Sequence, residues 1–249
     1  MGPIVILLHI LLGTFAGGVL SVLAAASLSL TILGPLASRM TSFSVGVLLS
    51  VAWLDMLPDA VARLGMETVG MTVLAGFFGF FSLEKVALWH HDHGHPHHCE
   101  DHPAPTGWMI TVGDGLHNFV DGVLIAAAFL QDTALGVATT VAVVMHEIPQ
   151  EIGDFMVYLD AGHSRREALW LNVLSSLASI AGGIIGYFAL QGLMDITPYV
   201  LSVAAASFIY IAVADLVPRL HEQRKPIDFL FQFVLLAVGM VVMKFGAHS

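Results

Sequence analysis

The fold is decided by two consecutive hydrophobic segments, WMITVGDGLHNFVDGVLIAAAFL at 108–130 and ALGVATTVAVVMHEIPQEIGDFMVYL at 134–159. Each exceeds the roughly 20 apolar residues that a membrane helix needs. Both also carry polar side chains, which in chain order are Asp114, His117, Asn118, Asp121, His146, Glu147, Gln150, Glu151 and Asp154. An acid at the centre of a membrane helix costs about 2.5–3.5 kcal/mol. We therefore expect these acids to face one another around a cation.

The spacing of these side chains places them on two helix faces. The polar residues of segment 108–130 fall at i, i+3, i+4 and i+7, which is one stripe of a helix. On segment 134–159, positions 146, 150 and 154 form one row, and positions 147 and 151 form an adjoining row about 100° away. If the two helices pack together, imidazole, carboxylate and amide groups converge.

The residue types indicate a metal site. Imidazole suits zinc and other late first-row divalent metals, whereas oxygen ligands keep binding weaker and exchangeable. Pro149 cannot hydrogen-bond to the carbonyl of Met145 and so kinks the second helix. A free carbonyl at that depth is a feature of transporter helices that are broken at a binding site.

Composition makes the whole chain a membrane domain. Of its 249 residues, 57% are hydrophobic and only 11% are charged, against about 25% charged in a soluble domain. The net charge of −10 reflects acids inside the spans, and nothing supports nucleic-acid binding. Cys99 is the single cysteine, so no intrachain disulfide forms. The apolar N-terminus, from Ile4, runs too long for a signal peptide.

Eight hydrophobic spans follow in order, at 4–33, 42–64, 68–88, 108–130, 134–159, 168–193, 197–220 and 227–245. We number them spans 1 to 8. Lysine and arginine in short loops favour the cytoplasmic side. With the N-terminus outside, seven such residues lie at cytoplasmic ends and two outside. We therefore expect both termini outside, in a multi-pass protein of a cell (inner) membrane.

Spans 2 and 7 share a short pattern, Asp55-x-x-Pro58 and Asp215-x-x-Pro218. Because the two spans run in opposite directions, the pattern fits an inverted repeat of spans 1–3 and 6–8 around spans 4 and 5. Acids at the mouths would then attract cations, or they are merely interfacial helix-end acids. The candidate pathway residues are Asp55, Asp59, Asp114, Asp154, Asn172 and Asp215. A packing hydrogen bond is the alternative for Asn172.

A histidine-rich segment separates spans 3 and 4, at 90–105. Its histidines, interleaved with acids and Cys99, are His90, His91, His93, His95, His97, His98 and His102. Such a tract is typical of metal binding in a disordered loop. The predicted topology places the loop in the cytoplasm, where we expect a sensor or exchange depot rather than the transport site.

The motifs His117-Asn118-Phe119-Val120-Asp121-Gly122 and His146-Glu147-Ile148-Pro149-Gln150-Glu151 resemble the fourth-span and fifth-span signatures of the ZIP (Zrt/Irt-like) metal transporters. The resemblance covers nearly the whole chain. It implies movement of a divalent metal, most often zinc, into the cytoplasm through a binuclear-type site of spans 4 and 5. Gln150 departs from the family pattern, which usually has His or Glu there. Glu151 is a candidate substitute ligand.

The resemblance implies an all-α transporter with Zn²⁺ as substrate, and Cd²⁺, Fe²⁺ or Mn²⁺ as other candidates. Divalent ions and the lipid bilayer are the expected partners, and a homodimer is left open. We expect no catalytic cofactor. Metal uptake should weaken as the pH falls towards about 6, since His and carboxylate ligands bind metal when deprotonated.

Three other functions compete with metal transport. His146-Glu147-x-x resembles the start of the zinc-protease signature, but position 150 is Gln rather than His, so an intramembrane zinc metalloprotease lacks its second ligand. A sodium or proton antiporter would use the acids but would leave the adjacent histidines unexplained. A metal-sensing membrane receptor would bind the ion without moving it.

Overall fold

The computed structural model describes residues 2–27, 30–92, 104–193, 195–221 and 226–246. Every regular element among these residues is helical. The α-helices are α1 Pro3–Phe15, α2 Ser21–Ser27, α3 Leu30–Ser50, α4 Leu57–Leu64, α5 Met66–Asp92, α6 Ala104–Gln131, α7 Thr133–Asp160, α8 Arg165–Leu190, α9 Thr197–Tyr210, α10 Val217–His221 and α11 Pro226–Gly246. Three short π-helical turns, Ala16–Leu20, Val51–Met56 and Ile211–Leu216, join α1 to α2, α3 to α4 and α9 to α10. The resulting segments correspond to the eight predicted spans.

Five segments are long and apolar enough to cross a membrane, within the part of the chain that the structure describes. They are Pro3–Ser27, Arg39–Leu64, Arg165–Leu190, Thr197–Ala214 and Asp228–Phe245. The central helices α6 and α7 are longer still, at 28 residues each. They are not among these five segments, and they carry the polar residues of the predicted site.

The boundary between spans 1 and 2 differs from the prediction. Span 1 was predicted to run to Leu33, but α2 ends at Ser27 and a new helix begins at Leu30. The sequence on both sides of this boundary is apolar or small, so hydropathy does not separate the two helices. Residues 30–41 therefore extend span 2 rather than span 1.

The shared Asp-x-x-Pro pattern has the same backbone form in spans 2 and 7. Asp55 and Asp215 are each the fifth residue of a six-residue π-helical turn. Each proline follows as the second residue of the next α-helix, and the residue before it donates its amide to a carbonyl five positions back. Proline has no amide hydrogen, which breaks the α-helical pattern. This likeness supports the inverted repeat, which stays a prediction.

The helices pack as two groups. Spans 1, 4, 5 and 6 contact one another; spans 2, 3 and 7 also contact one another, and span 8 packs against span 2. Within the first group, Gly122 of α6 faces the Ser179 carbonyl of α8, and Gly182 of α8 faces the Phe119 carbonyl of α6, so that a Cβ at either glycine would collide with backbone. Gly46 of α3 and Gly239 of α11 make the equivalent crossing in the second group. Small residues thus permit close helix approach in both groups.

The two groups meet chiefly where α3 packs against α7. The connections on either side of α7 are short: Asp132 alone separates it from α6, and residues 161–164 separate it from α8. Gly162 occupies the left-handed region of backbone conformation at φ 89° in this second turn. Ser164 then starts α8 with a reciprocal capping box to Glu167. These tight connections hold α7 antiparallel to both neighbours.

Candidate metal centre

The predicted convergence of α6 and α7 is present in the structure. One oxygen or nitrogen from each of His117, Asp121, His146 and Glu147 lies within 4.8 Å of the others. The His117 and His146 Nε2 atoms are 3.3 Å apart, and His146 Nε2 lies 3.0 Å from Asp121 Oδ2. His117 Nε2 is 3.4 Å from Glu147 Oε1. Two imidazoles and two carboxylates therefore point at one position.

The His146 ring is oriented by its own helix. Its Nδ1 lies 2.9 Å from the carbonyl of Ala142, one turn earlier. A ring nitrogen that donates to a carbonyl fixes the tautomer and leaves the other nitrogen as a metal ligand. In this arrangement Nε2 is the free nitrogen, and it is the one that faces the other three groups.

A second cluster adjoins the first and consists of carboxylates. Asp114, Glu147 and Glu151 each bring an oxygen within 4.8 Å of the others. Glu147 belongs to both clusters, so it occupies the position of a bridging ligand. Sites with oxygen ligands only suit harder cations, which often keep some of their water ligands. The imidazole-containing cluster suits zinc.

The amide residues of the predicted site lie around Asp114. Gln150 Nε2 donates to Asp114 Oδ1 at 3.0 Å, and Asn118 Nδ2 donates to the same oxygen at 3.2 Å. Gln150 therefore binds a neighbouring carboxylate through its nitrogen. Its contact with Asp114 joins α6 to α7 beside the second cluster.

Both clusters are buried. Asp121, Glu147 and Glu151 are 0% exposed, whereas the His117 side chain is 25% exposed and is the open edge of the first cluster. Neither oxygen of Glu151 has a hydrogen-bond partner among the described residues. A buried, unpaired carboxylate is strongly destabilising. Such a carboxylate is tolerated when it is protonated or lies beside a cation.

The acids predicted for the outer mouth do come together. Asp55 and Asp59 line a cavity of about 260 Å³, together with Asp132 and Gln131 from the junction of α6 and α7. Asp59 also lies 3.4 Å from Arg63 in a half-exposed ion pair. Sequence reasoning missed Asp132, whose side chain accepts the amides of the second and third residues of α7. Its position directly before an apolar helix was the available signal.

The remaining candidate pathway residues differ in their burial and in their distance from the second cluster. Asp154 is half-buried on α7, four residues after Gln150. Asn172 of α8 is buried and its Nδ2 donates to the Glu151 carbonyl at 3.1 Å, which brings it next to the second cluster. The backbone of Asp215 lies in the π-helical turn of span 7, and its side chain lies outside what the structure describes.

The histidine-rich segment begins inside a helix rather than in a loop. Backbone positions 90 and 91 belong to α5, which ends at Asp92, and α6 begins at Ala104. Backbone positions 90–92 and 104–105 of the predicted loop are therefore helical. His93, His95, His97, His98 and His102 lie outside the described residues.

The family model described as ZIP zinc transporter matches residues 89–247, well over half of the chain. The chain belongs to the ZIP zinc transporter family. The predicted resemblance is therefore confirmed, and so are the all-α fold and membership of a family of transporters rather than enzymes.

Individual relatives in the ZIP family show the extent of the match. The zinc transporter foi of Drosophila melanogaster is 41% identical over 138 residues, which is 55% of this chain and 19% of that protein. The zinc transporter ZIP13 of Pongo abelii is 31% identical over 224 residues, 82% of this chain and 65% of that one. The metal cation symporter ZIP14 of Mus musculus is 38% identical over 138 residues, 54% and 28% of the two chains. This chain thus corresponds to a fraction of the length of the first relatives. It is an integral, multi-pass membrane protein.

Proposed function

We propose that the protein carries a divalent transition-metal cation, zinc in the first place, across the membrane towards the cytoplasm. The observation that carries the proposal is the buried cluster of His117, Asp121, His146 and Glu147, whose ligand atoms lie within 4.8 Å of one another. Its relatives include proteins named as zinc transporters and as a metal cation symporter.

The donor set suits a cargo rather than a structural ion. Structural zinc sites are closed and often rich in cysteine, whereas this cluster has none and is partly open at His117. Mixed imidazole and carboxylate ligation also accepts Cd²⁺, Fe²⁺ and Mn²⁺. Selectivity among these ions is therefore a matter for competition measurements.

The route follows from the surrounding acids. A hydrated cation is attracted by Asp55 and Asp59 at the outer mouth and exchanges its waters for the ligands of the first cluster. The all-carboxylate cluster of Asp114, Glu147 and Glu151 is a second, harder position that shares one ligand with the first. An ion there leaves past Asp154 and Asn172 on the inner side.

The topology remains part of the proposal. We infer outward-facing termini and a cell (inner) membrane from the distribution of basic residues in the loops. The histidine segment then faces the cytoplasm, where it meets imported metal ions after they leave the transport site. Assembly as a homodimer remains an open prediction.

The deciding experiment is radioactive zinc uptake into proteoliposomes that contain the unchanged protein, His117→Ala or His146→Ala. Both substitutions remove a ligand, so each should abolish uptake. His9→Ala is the matched control, because His9 lies on α1 and its ring bonds the Val5 carbonyl of the same helix. Cadmium, manganese and iron serve as competitors. Bound zinc without uptake in the unchanged protein would instead favour a metal-sensing receptor.

A further inference from the structure

The proline in α7 leaves one carbonyl without its helical donor. Pro149 has no amide hydrogen, so the carbonyl of Met145 cannot receive the usual bond from four residues ahead. In the structure this carbonyl accepts a hydrogen bond from the hydroxyl of Ser44 on α3. Ser44 is 0% exposed. A side chain 101 positions away in the sequence therefore satisfies the break in the helix.

The Ser44 hydroxyl has a second acceptor within reach. Its oxygen lies 2.8 Å from the carbonyl of Met40, one turn earlier on α3. A serine hydroxyl carries one hydrogen and can donate to one carbonyl at a time. The hydroxyl therefore has two alternative partners, one on its own helix and one across the contact between helices.

The bond to Met145 joins the two helix groups. Ser44 belongs to the group of spans 2, 3, 7 and 8, whereas Met145 belongs to the group of spans 1, 4, 5 and 6. By contrast, the bond from Asn172 to the Glu151 carbonyl stays inside one group. The Met145 carbonyl also directly precedes His146, whose ring is part of the metal cluster.

We propose that Ser44 is a positioning residue for transport, whose hydroxyl latches the proline break of α7 to span 2 and releases it by turning to the Met40 carbonyl. The inference rests on the proposed transport function. In the latched arrangement the Met145 carbonyl is occupied. After release it is an oxygen beside His146 that water can occupy, while the hydroxyl keeps a partner. Neither arrangement leaves the serine donor unpaired, so the contact between the groups opens at low cost.

The bond itself can be observed without measuring transport. Met145-His146 is the only Met-His pair in the sequence. Methionine labelled with ¹³C at the carbonyl, combined with ¹⁵N-labelled histidine, therefore selects the Met145 carbonyl in a bilayer NMR spectrum. Ser44→Ala should move this signal in the direction of a lost hydrogen bond. Ser50→Ala should leave it in place, since the Ser50 hydroxyl faces the Met240 carbonyl within its own helix group.

The functional consequence is read from zinc uptake and zinc binding together. Because a net hydrogen bond shifts an equilibrium about threefold or more, Ser44→Ala should change the maximal uptake rate by about that factor. The direction depends on which arrangement is rate-limiting. The equilibrium dissociation constant for zinc in detergent should stay within about twofold, since the four cluster ligands come from α6 and α7 alone. Ser50→Ala should leave both quantities unchanged.

A double-mutant cycle distinguishes a latch from general packing. Pro149→Ala restores an amide that can donate to the Met145 carbonyl, which makes the Ser44 hydroxyl redundant. Ser44→Ala should then have little further effect on uptake. Additive effects of the two substitutions, or an unshifted Met145 signal in Ser44→Ala, would overturn the latch. Absence of uptake by the unchanged protein would refute the transport proposal, while the carbonyl signal would still decide whether the bond exists.

Discussion

Aspartates occupy two very different regions of this molecule. Asp121 in the candidate metal centre is 0% exposed and has two imidazoles beside it. Asp59, at the cavity that we propose as the outer mouth, is about one-third exposed and already has Arg63 as a partner. A buried charge is tolerated only with close compensation, whereas a solvated one is screened by water and salt. We therefore expect the same side chain to act as a ligand in one region and as a source of long-range attraction for cations in the other.

Among substitutions in these two regions, Asp121→Ala should cause the largest loss of zinc affinity. Loss of outer-sphere partners alone weakens metal sites about 10–100-fold, so loss of a direct ligand should weaken zinc binding by about 100-fold or more. Isothermal titration of the purified protein measures this. Asp195→Ala removes an exposed aspartate and is the matched control. Zinc affinity within a factor of a few of the unchanged protein would remove Asp121 from the ligand set.

Gln150→His tests whether the side chain at position 150 can reach a bound metal ion. Its effect on zinc affinity should be intermediate in size. The amide now donates to Asp114 at 3.0 Å, whereas an imidazole at this position can bind the ion directly. Zinc binding should tighten by about tenfold, since imidazole is a preferred ligand of zinc. Titration against Gln150→Ala separates the new ligand from the lost bond to Asp114. Equal affinities for the two variants would show that position 150 does not reach the metal.

The sequence predicted the grouping of side chains within α6 and α7 better than the contacts that other helices make with them. Helical periodicity fixes which side chains of α6 and α7 share a face, so the convergence of His117 and His146 followed from spacing once the two helices were taken to pack together. The partner of the Met145 carbonyl could not be predicted, because Ser44 lies 101 positions away and resembles any other small residue of a membrane helix. The end of span 1 was misplaced for a related reason, since hydropathy does not separate two consecutive apolar helices.

Substitutions at the proposed outer mouth should have the smallest effect, and they should change the rate of zinc uptake rather than the affinity for zinc. Neutralising both half-exposed acids with Asp55→Asn and Asp59→Asn should lower zinc uptake at subsaturating zinc by a few-fold at low salt, because the local attraction for cations falls. The difference should shrink as salt approaches about 0.15 M, where charges are screened beyond about 8 Å. Equilibrium zinc binding should stay the same, since neither acid belongs to the clusters. Uptake rates at low and high salt, measured beside titrations of the same variants, test this. A salt-independent loss of affinity would instead make the mouth part of the binding site and would erase the distinction between the two regions.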